Sequence, residues 1–169
     1  MPQTHIMPER KNIRLKHHDY TSHTAYFITI CTHNRQHLFG EIQNGEMHFN
    51  LIGKMIDEML FRLPENFGQS QMLAKVIMPN HLHFIWLHQD TATLSDVVKT
   101  LKGRATTVYR AYLYNHDLPF KKLWQRGYHE HGIRSEQDFL KIAQYIENNP
   151  KQWELDCFYP HENGGKGRI

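Results

Sequence analysis

The fold of this chain is decided by residues 78–86, which read MPNHLHFIW. Pro79 and Asn80 predict a bend, and the apolar run that follows them predicts a buried strand. Because alternate side chains of a strand point to the same face, His81 and His83 should lie side by side at the start of this strand. Two imidazoles held in this way make half of a divalent-metal site. A complete site needs a further ligand and a nucleophile from elsewhere in the chain.

The other secondary-structure elements follow from hydrophobic periodicity and from turn residues. An Asn44-Gly45 dipeptide between alternating residues predicts a β-hairpin over residues 39–49, because a type I′ turn needs positive φ at both central positions. Asn50 and Ser135 are predicted helix caps. The remaining elements are strands at 25–32, 72–78, 81–87 and 123–134, and helices at 51–63, 94–112 and 136–149.

The order of these elements predicts the fold class. With the hairpin set aside, the first part reads β-α-β-β-α-β, which is the split βαβ or ferredoxin-like arrangement. We therefore predict an α+β fold: an antiparallel sheet with helices on one face, an inserted β-hairpin and a C-terminal helix that carries a tyrosine. The predicted organisation is a basic N-terminal arm at 1–19, one domain at 20–155 and a polar C-terminal tail at 156–169.

Length and composition are those of a single soluble domain. The chain has 169 residues and a formal net charge of +3. Cys31 and Cys157 have no metal-type spacing and indicate a reducing compartment. The chain begins without an apolar signal segment, and no run approaches a membrane span, so we expect a cytoplasmic protein without a membrane partner.

Positive charge is concentrated in two segments. Residues 99–134 contain eight lysines and arginines against one aspartate and one glutamate, and residues 10–18 are also basic. Such segments on a nearly balanced chain favour a polyanion-binding face. Ordinary solvated surface charge is the alternative interpretation.

The last predicted helix carries two candidate site residues. Tyr145 and Asn149 are four residues apart and are therefore neighbours on one surface stripe. At about 100° per residue, both fall on the flank of the apolar face. If this helix packs beside the His81 strand, Asn149 can offer its amide oxygen as a third ligand, with Tyr145 beside the metal. One oxygen and two imidazoles suit Mg²⁺ or Mn²⁺ better than structural Zn²⁺.

These residue types predict a nuclease. A phenol has a pKa near 10, so Tyr145 attacks poorly at neutral pH unless a metal polarises the scissile phosphate. The tyrosine would then form a covalent phosphotyrosine, which divides one difficult step into two easier ones.

His129 and His131 leave a different interpretation open. They repeat the His-x-His spacing within the last predicted strand. Together with His81 and His83 they would offer four nitrogen ligands to a structural or hydrolytic zinc ion. This interpretation requires the last strand to bring its two histidines to the first pair.

Taken together, four motifs resemble those of a known family. They are YFITICT at 26–32, VIMPNHLH at 76–83, LWQR at 123–126 with HGIR at 131–134, and YIENNP at 145–150. In this order the motifs resemble those of the insertion-sequence-200-like, single-tyrosine HUH transposases, and most of all the REP-associated tyrosine transposases (RAYTs). The resemblance spans roughly residues 20–155.

The resemblance implies a site and a reaction. His81 and His83 would be the metal ligands, Tyr145 the nucleophile, and Asn149 would complete the metal site. The implied reaction is metal-dependent cleavage and rejoining of single-stranded DNA, leaving a 5′-phosphotyrosine and a free 3′-OH. Substrates would be short imperfect hairpins with a flanking guide sequence, as in bacterial repetitive extragenic palindromes, which implies a nucleoid-associated protein.

The DNA contacts are predicted from charge alone. Phosphate contacts by lysine and arginine make DNA binding salt-dependent. The predicted contacts are Lys99, Lys102, Arg104, Lys121, Lys122 and Arg126, with Arg14 in the N-terminal arm as part of a guide reader. The alternative function is a non-catalytic protein of the same fold that binds nucleic-acid hairpins. The sequence does not decide between a monomer and a homodimer.

Overall fold

The computed structural model describes residues 25–160 of the chain. The predicted N-terminal arm, with Arg14, lies outside the described residues, as do residues 161–169. Between residues 25 and 160 the chain forms six strands and three α-helices. In chain order these are β1 (Ala25–Cys31), β2 (Gly40–Gln43), β3 (Glu46–Phe49), α1 (Leu51–Arg62), β4 (Gln71–Met78), β5 (His81–Leu87), α2 (Leu94–Asn115), β6 (His129–Gly132) and α3 (Glu136–Asn148).

Four strands form one antiparallel sheet in the order β4-β5-β1-β6, and β2 pairs with β3 in a separate hairpin. β1 and β5 therefore occupy the centre of the sheet, where β5 is buried along its whole length. This strand order is that of the split βαβ arrangement. The predicted α+β, ferredoxin-like fold with an inserted hairpin is confirmed.

The two faces of the sheet are covered by different helices. Leu82, Phe84 and Trp86 of β5 belong to the large apolar cluster that α1 and α2 cover. Ile85 and Leu87 of the same strand belong to a smaller cluster that α3 covers. Because side chains alternate along a strand, His81 and His83 share the face of Ile85 and Leu87. The two helices of the split βαβ unit lie on one face, and the C-terminal helix lies on the other.

Local residue chemistry accounts for the boundaries of several elements. Asn44 and Gly45 have φ of 52° and 75°, as the predicted hairpin turn requires. The Asn50 side chain accepts a hydrogen bond from the Gly53 amide over 2.9 Å and caps α1. Ser135 accepts one from the Asp138 amide and caps α3. No helix within the described range is long and apolar enough to cross a membrane.

The last strand is shorter than predicted. β6 covers residues 129–132, and earlier in the predicted segment a single bridge joins Trp124 to Thr32. Gly127 has φ of +76°, a conformation that interrupts regular pairing. Residues 123–127 therefore run beside the end of β1 as an irregular segment.

Candidate active site

The two histidines lie at the start of β5, where the turn from β4 ends. His81 and His83 open β5 directly after the Pro79-Asn80 turn, and their ring centroids are 4.6 Å apart. Both side chains are almost completely buried, with exposed fractions of 0% and 2%. The structure thus brings the pair together on one face of the sheet, as the alternation of a strand requires.

A buried asparagine determines which nitrogen of His81 faces the site. The Asn80 amide nitrogen donates to the carbonyl oxygens of Phe158 and Arg35, over 2.9 and 3.3 Å. Its Oδ1 must therefore face His81, and it accepts from Nδ1 of that ring over 2.8 Å. With the proton on Nδ1, the Nε2 atom of His81 is left as a free lone pair, which is the form that ligates a metal.

His83 is held by a comparable contact. Its Nδ1 lies 2.7 Å from the Thr29 hydroxyl of β1, and its ring stacks on Phe27 with 5.1 Å between centroids. The hydroxyl oxygen can accept a hydrogen bond from the Nδ1–H group, which leaves the lone pair on Nε2 of His83, in the same group of atoms as His81.

Helix α3 brings the predicted tyrosine to the histidines. The Tyr145 hydroxyl lies 3.3 Å from His83 Nε2. Tyr145 is 38% exposed, so the residue reaches the protein surface while its hydroxyl lies next to the buried ring. Asn149, directly after α3, is 2% exposed. The structure therefore brings together all four residues predicted for the metal and the nucleophile.

Asp156 is a site residue that the sequence does not reveal. Its carboxylate accepts from the Asn149 amide over 2.9 Å and from the Tyr145 hydroxyl over 3.3 Å. The same oxygen lies 3.9 Å from His81 Nε2. Asp156 lies within the segment predicted as a polar tail. The neighbouring aromatic residues Trp153 and Phe158, which are typical of packed rather than solvated chain, are the signal that could have found it.

The donor atoms fit a divalent cation. Among the described residues, the metal-ligating atoms of His81, His83 and Asp156 all lie within 4.8 Å of one another. Of the buried side-chain atoms in residues 25–160, His81 Nε2 and Asn149 Oδ1 lack a hydrogen-bond partner. Orphaned buried polar atoms are costly, and a cation between them would satisfy both. Two imidazole nitrogens and one carboxylate are a donor set that could hold a divalent metal ion.

Burial changes the protonation of these groups. Desolvation, followed by the positive charge of Arg35, lowers the pKa of His81 to about 3. Desolvation, followed by the neighbouring His81, holds the pKa of His83 well below its usual value. Both rings are therefore neutral and able to ligate at physiological pH. Burial and the adjacent Asp156 carboxylate raise the pKa of Tyr145, so its hydroxyl keeps its proton.

The four-histidine zinc interpretation is wrong. His129 and His131 do not belong to the group formed by His81, His83 and Asp156. In β6, His131 directs its Nε2 to the Asp138 carboxylate at 3.0 Å, and His129 is exposed. A full strand, β1, separates β6 from β5.

The predicted DNA-binding cations fall into two groups. Those on α2 already have partners within the protein: Lys102 donates to the carbonyls of residues 125 and 127, Arg104 donates to Asn66, and Lys99 lies 3.9 Å from Asp96. Those after α2 lie on the surface and are exposed. They are Lys121, Lys122 and Arg126.

Fold and site together define a class of protein: a ferredoxin-like domain whose central strand carries paired histidines and whose C-terminal helix presents a tyrosine to them. The family model described as "Transposase IS200 like" matches residues 20–149. The chain belongs to the IS200-like transposase family.

Individual proteins are also similar to this chain. The chain is 37% identical over 172 residues to an uncharacterized protein of Haemophilus influenzae, covering 89% of this chain and 93% of that protein. It is 30% identical over 77 residues to the REP-associated tyrosine transposase of Escherichia coli K12, covering 46% of this chain and 42% of that protein. A solved structure of a REP-associated tyrosine transposase bound to a REP hairpin shares its fold, with a TM-score of 0.59 and 20% identity over 79% of this chain and 70% of that one.

Proposed function

We propose that this protein is a metal-dependent DNA strand transferase that cleaves and rejoins single-stranded DNA next to hairpin sequences through a 5′-phosphotyrosine. One observation carries the proposal: the Tyr145 hydroxyl lies 3.3 Å from both His83 Nε2 and Asp156 Oδ2. A nucleophile and the donor atoms of a cation site are thus within reach of one phosphate.

The proposed metal is Mg²⁺ or Mn²⁺. It would be held by His81 and His83, with Asn149 and Asp156 as oxygen donors. When bound, the cation would polarise the scissile phosphate and neutralise charge that develops on it. The Asp156 carboxylate also balances the cation charge in a site where the two imidazoles are neutral.

The residues of this chain account for both halves of the proposed reaction. The Tyr145 oxygen attacks phosphorus, the bond from phosphorus to the 3′ oxygen breaks, and the departing 3′ oxygen takes a proton from solvent, which leaves a free 3′-OH. Asp156 already accepts a hydrogen bond from the phenol and is placed to receive its proton. In the reverse step a 3′-OH attacks the phosphotyrosine, the DNA strand is sealed and Tyr145 recovers its proton.

The proposed substrate is a DNA hairpin with an adjoining single strand. A REP-associated tyrosine transposase with the same fold has been solved bound to a REP hairpin. The position of Tyr145, partly exposed on the sheet face, suits an unpaired strand, because a phosphate in a paired stem is less easily turned towards a side chain there.

The test is formation of a covalent adduct. The wild-type protein is incubated with Mn²⁺ and labelled hairpin oligonucleotides that carry single-stranded flanks, and adducts are resolved on a denaturing gel. Tyr145→Phe should abolish the adduct, because the variant lacks the attacking oxygen. Tyr114→Phe, at an exposed position on α2, is the matched control and should react as the wild type does.

Two outcomes would count against the proposal. An adduct that persists in Tyr145→Phe would show that another residue is the nucleophile. A wild-type protein that binds hairpins tightly and never forms an adduct with Mn²⁺ or Mg²⁺ would instead be a non-catalytic hairpin-binding protein.

A further inference from the structure

A short strap, residues 156–158, carries Asp156 to the histidines. It follows the 3₁₀ helix Asn149–Leu155 and belongs to no helix or strand. Leu155, directly before Asp156, is 84% exposed, and Cys157, directly after it, is also exposed. Neither neighbour of Asp156 is therefore anchored by burial, so the placement of its carboxylate depends on other contacts.

The two oxygens of the Asp156 carboxylate have different partners. Oδ1 accepts from the Phe158 amide over 2.8 Å and so fixes the turn of its own backbone. Oδ2 is left for the site, where it accepts from the Asn149 amide over 2.9 Å and from the Tyr145 hydroxyl over 3.3 Å. Because both oxygens belong to one planar group, the direction of Oδ2 follows the position of the strap.

Arg35 holds the strap from a turn that follows β1. Its guanidinium donates to the Cys157 carbonyl over 3.2 Å and lies 4.9 Å from the centre of the Phe158 ring. A planar, delocalised guanidinium can make a hydrogen bond and a cation–π contact at once. Within residues 25–160 this side chain bonds to the strap and to none of the metal-ligating atoms. Its effect on the metal site is therefore exerted through the strap.

The main chain of Arg35 is itself fixed in a strained conformation. Its φ of 52° is left-handed, which is unfavourable for a residue other than glycine. The Arg35 amide donates to the Thr32 carbonyl over 3.1 Å, and its carbonyl accepts from the Asn80 amide over 3.3 Å. The same amide of Asn80 donates to the Phe158 carbonyl. Arg35 and the strap are thus tied to one turn, and such strain persists where the surrounding structure holds it.

The charge of Arg35 by itself acts against a metal ion. Besides burial, this positive charge lowers the pKa of His81, so its field reaches the donor atoms. Two positive charges repel each other. An arginine at this place is therefore unfavourable to a bound cation unless its contacts with the strap more than offset the repulsion.

We infer that Arg35 is a positioning residue, which fixes the strap and thereby holds the Asp156 carboxylate beside His81 and Tyr145. The inference rests on the proposed function for the role of Asp156 as an oxygen donor, and it adds the residue that places this donor. It also has a sign. Removal of the Arg35 charge alone would tighten binding of a cation, whereas loss of the strap contacts weakens it.

Titration calorimetry with Mn²⁺, in the absence of DNA, measures that sign. Arg35→Gln should bind Mn²⁺ about tenfold more weakly than the wild type, at the lower end of the effects of residues that orient metal ligands. Arg35→Lys keeps a cation near the Phe158 ring and a donor for the Cys157 carbonyl, so it should recover about threefold of the lost affinity. Unchanged or tighter binding by Arg35→Gln, or equal losses in both variants, would overturn the inference.

Hydrogen exchange without metal follows the strap directly. The Phe158 amide is bonded to Asp156 Oδ1, and the Tyr159 amide donates to the Asp156 carbonyl over 3.0 Å. Arg35→Gln should make both amides exchange about 3–10-fold faster, because local opening depends on the contacts that hold a segment. The amides of β5 should exchange as in the wild type. No change at the two amides, or equal acceleration throughout β5, would overturn the inference.

The matched control removes an arginine charge on the other face of the sheet. Arg62 of α1 is exposed and bonds to Glu58 over 2.7 Å. Arg62→Gln should bind Mn²⁺ within about twofold of the wild type, since distant charge is screened by salt. A loss equal to that of Arg35→Gln would overturn the inference.

These measurements are independent of the adduct assay. If the wild type forms adducts while Arg35→Gln keeps normal Mn²⁺ affinity and exchange, only the role of Arg35 is refuted. If Arg35→Gln behaves as expected while the wild type never forms an adduct, only the catalytic proposal is refuted.

Discussion

Replacing Asn80 with alanine tests how the site is oriented. Asn80 is 1% exposed, and its amide makes three hydrogen bonds: to the carbonyls of Phe158 and Arg35 and to His81 Nδ1. Asn80→Ala removes all three. It leaves the buried His81 Nδ1 proton and the part-buried carbonyls of Phe158 and Arg35 without this partner.

The magnitude follows from these lost partners. A buried polar group without a hydrogen bond costs about 1–3 kcal/mol. Counting His81 Nδ1 and the Phe158 carbonyl, the substitution should lower the free energy of unfolding by roughly 2–6 kcal/mol. At about 2–4 °C per kcal/mol for a domain of this size, the melting temperature should fall by roughly 4–24 °C. The His81 ring also loses the contact that fixes its tautomer, which should weaken metal binding by about 10–100-fold.

Urea unfolding without metal gives the first quantity, and titration calorimetry with Mn²⁺ gives the second. Asn66→Ala is the matched control, because Asn66 is exposed and makes its hydrogen bonds away from the site. The control should bind Mn²⁺ as the wild type does. If Asn80→Ala is destabilised yet binds Mn²⁺ within twofold of wild type, the reasoning that Asn80 orients a metal ligand is refuted.

Three further predictions concern glycines and the metal. Gly53→Ala should lower the free energy of unfolding by roughly 1–3 kcal/mol, because its Cβ would stand 2.0 Å from the Phe39 carbonyl oxygen; unchanged urea unfolding would contradict this contact. Gly103→Ala should raise it by about 0.5–1 kcal/mol, since nothing among the described residues lies within 4 Å of the new Cβ; a lower melting temperature would contradict this. Mn²⁺ at about 100 times its Kd should stabilise the wild type by about 2.7 kcal/mol, and Asp156→Asn should lose most of that gain in the same melting assay.

Local signals predicted most of the fold. The hairpin turn at Asn44-Gly45 and the caps at Asn50 and Ser135 depend on a few neighbouring residues, so the local sequence is enough to predict them. The strand that begins at His81 could be predicted in the same way, because Pro79 marks where its apolar run begins. Where the pattern depends on distant pairing, as in the segment before β6, the prediction was less accurate.

The packed face of α2 shows how a long helix departs from a short pattern. The hydrophobic pattern of residues 94–112 predicts an apolar stripe that continues through Val108 and Tyr112, whereas the structure buries Tyr109 and Leu113. Over 22 residues a small angular drift per turn moves the buried positions by one residue. Val108 and Tyr112 are partly buried, and Tyr112 still packs against the same cluster.

The candidate site could be predicted only in part. His81, His83, Tyr145 and Asn149 carry their own spacing signals, i and i+2 on a strand and i and i+4 on a helix. Asp156 has no such signal, because it reaches the site through a segment that folds back after α3. Which distant carboxylate returns to a site is decided by tertiary packing rather than by local pattern.

The placement of α3 on its own face of the sheet has a consequence for local stability. Phe139, Ala143 and Ile146 attach this helix to a small cluster, while α1 and α2 share the large one. Proteins open in cooperative units whose free energies follow the contacts that hold them. The helix bearing Tyr145 should therefore detach at lower free energy than the sheet unfolds, so that its amide protons exchange earlier than those of β5. In this protein the element that carries the proposed reactive group is thus expected to open before the sheet that carries the histidines.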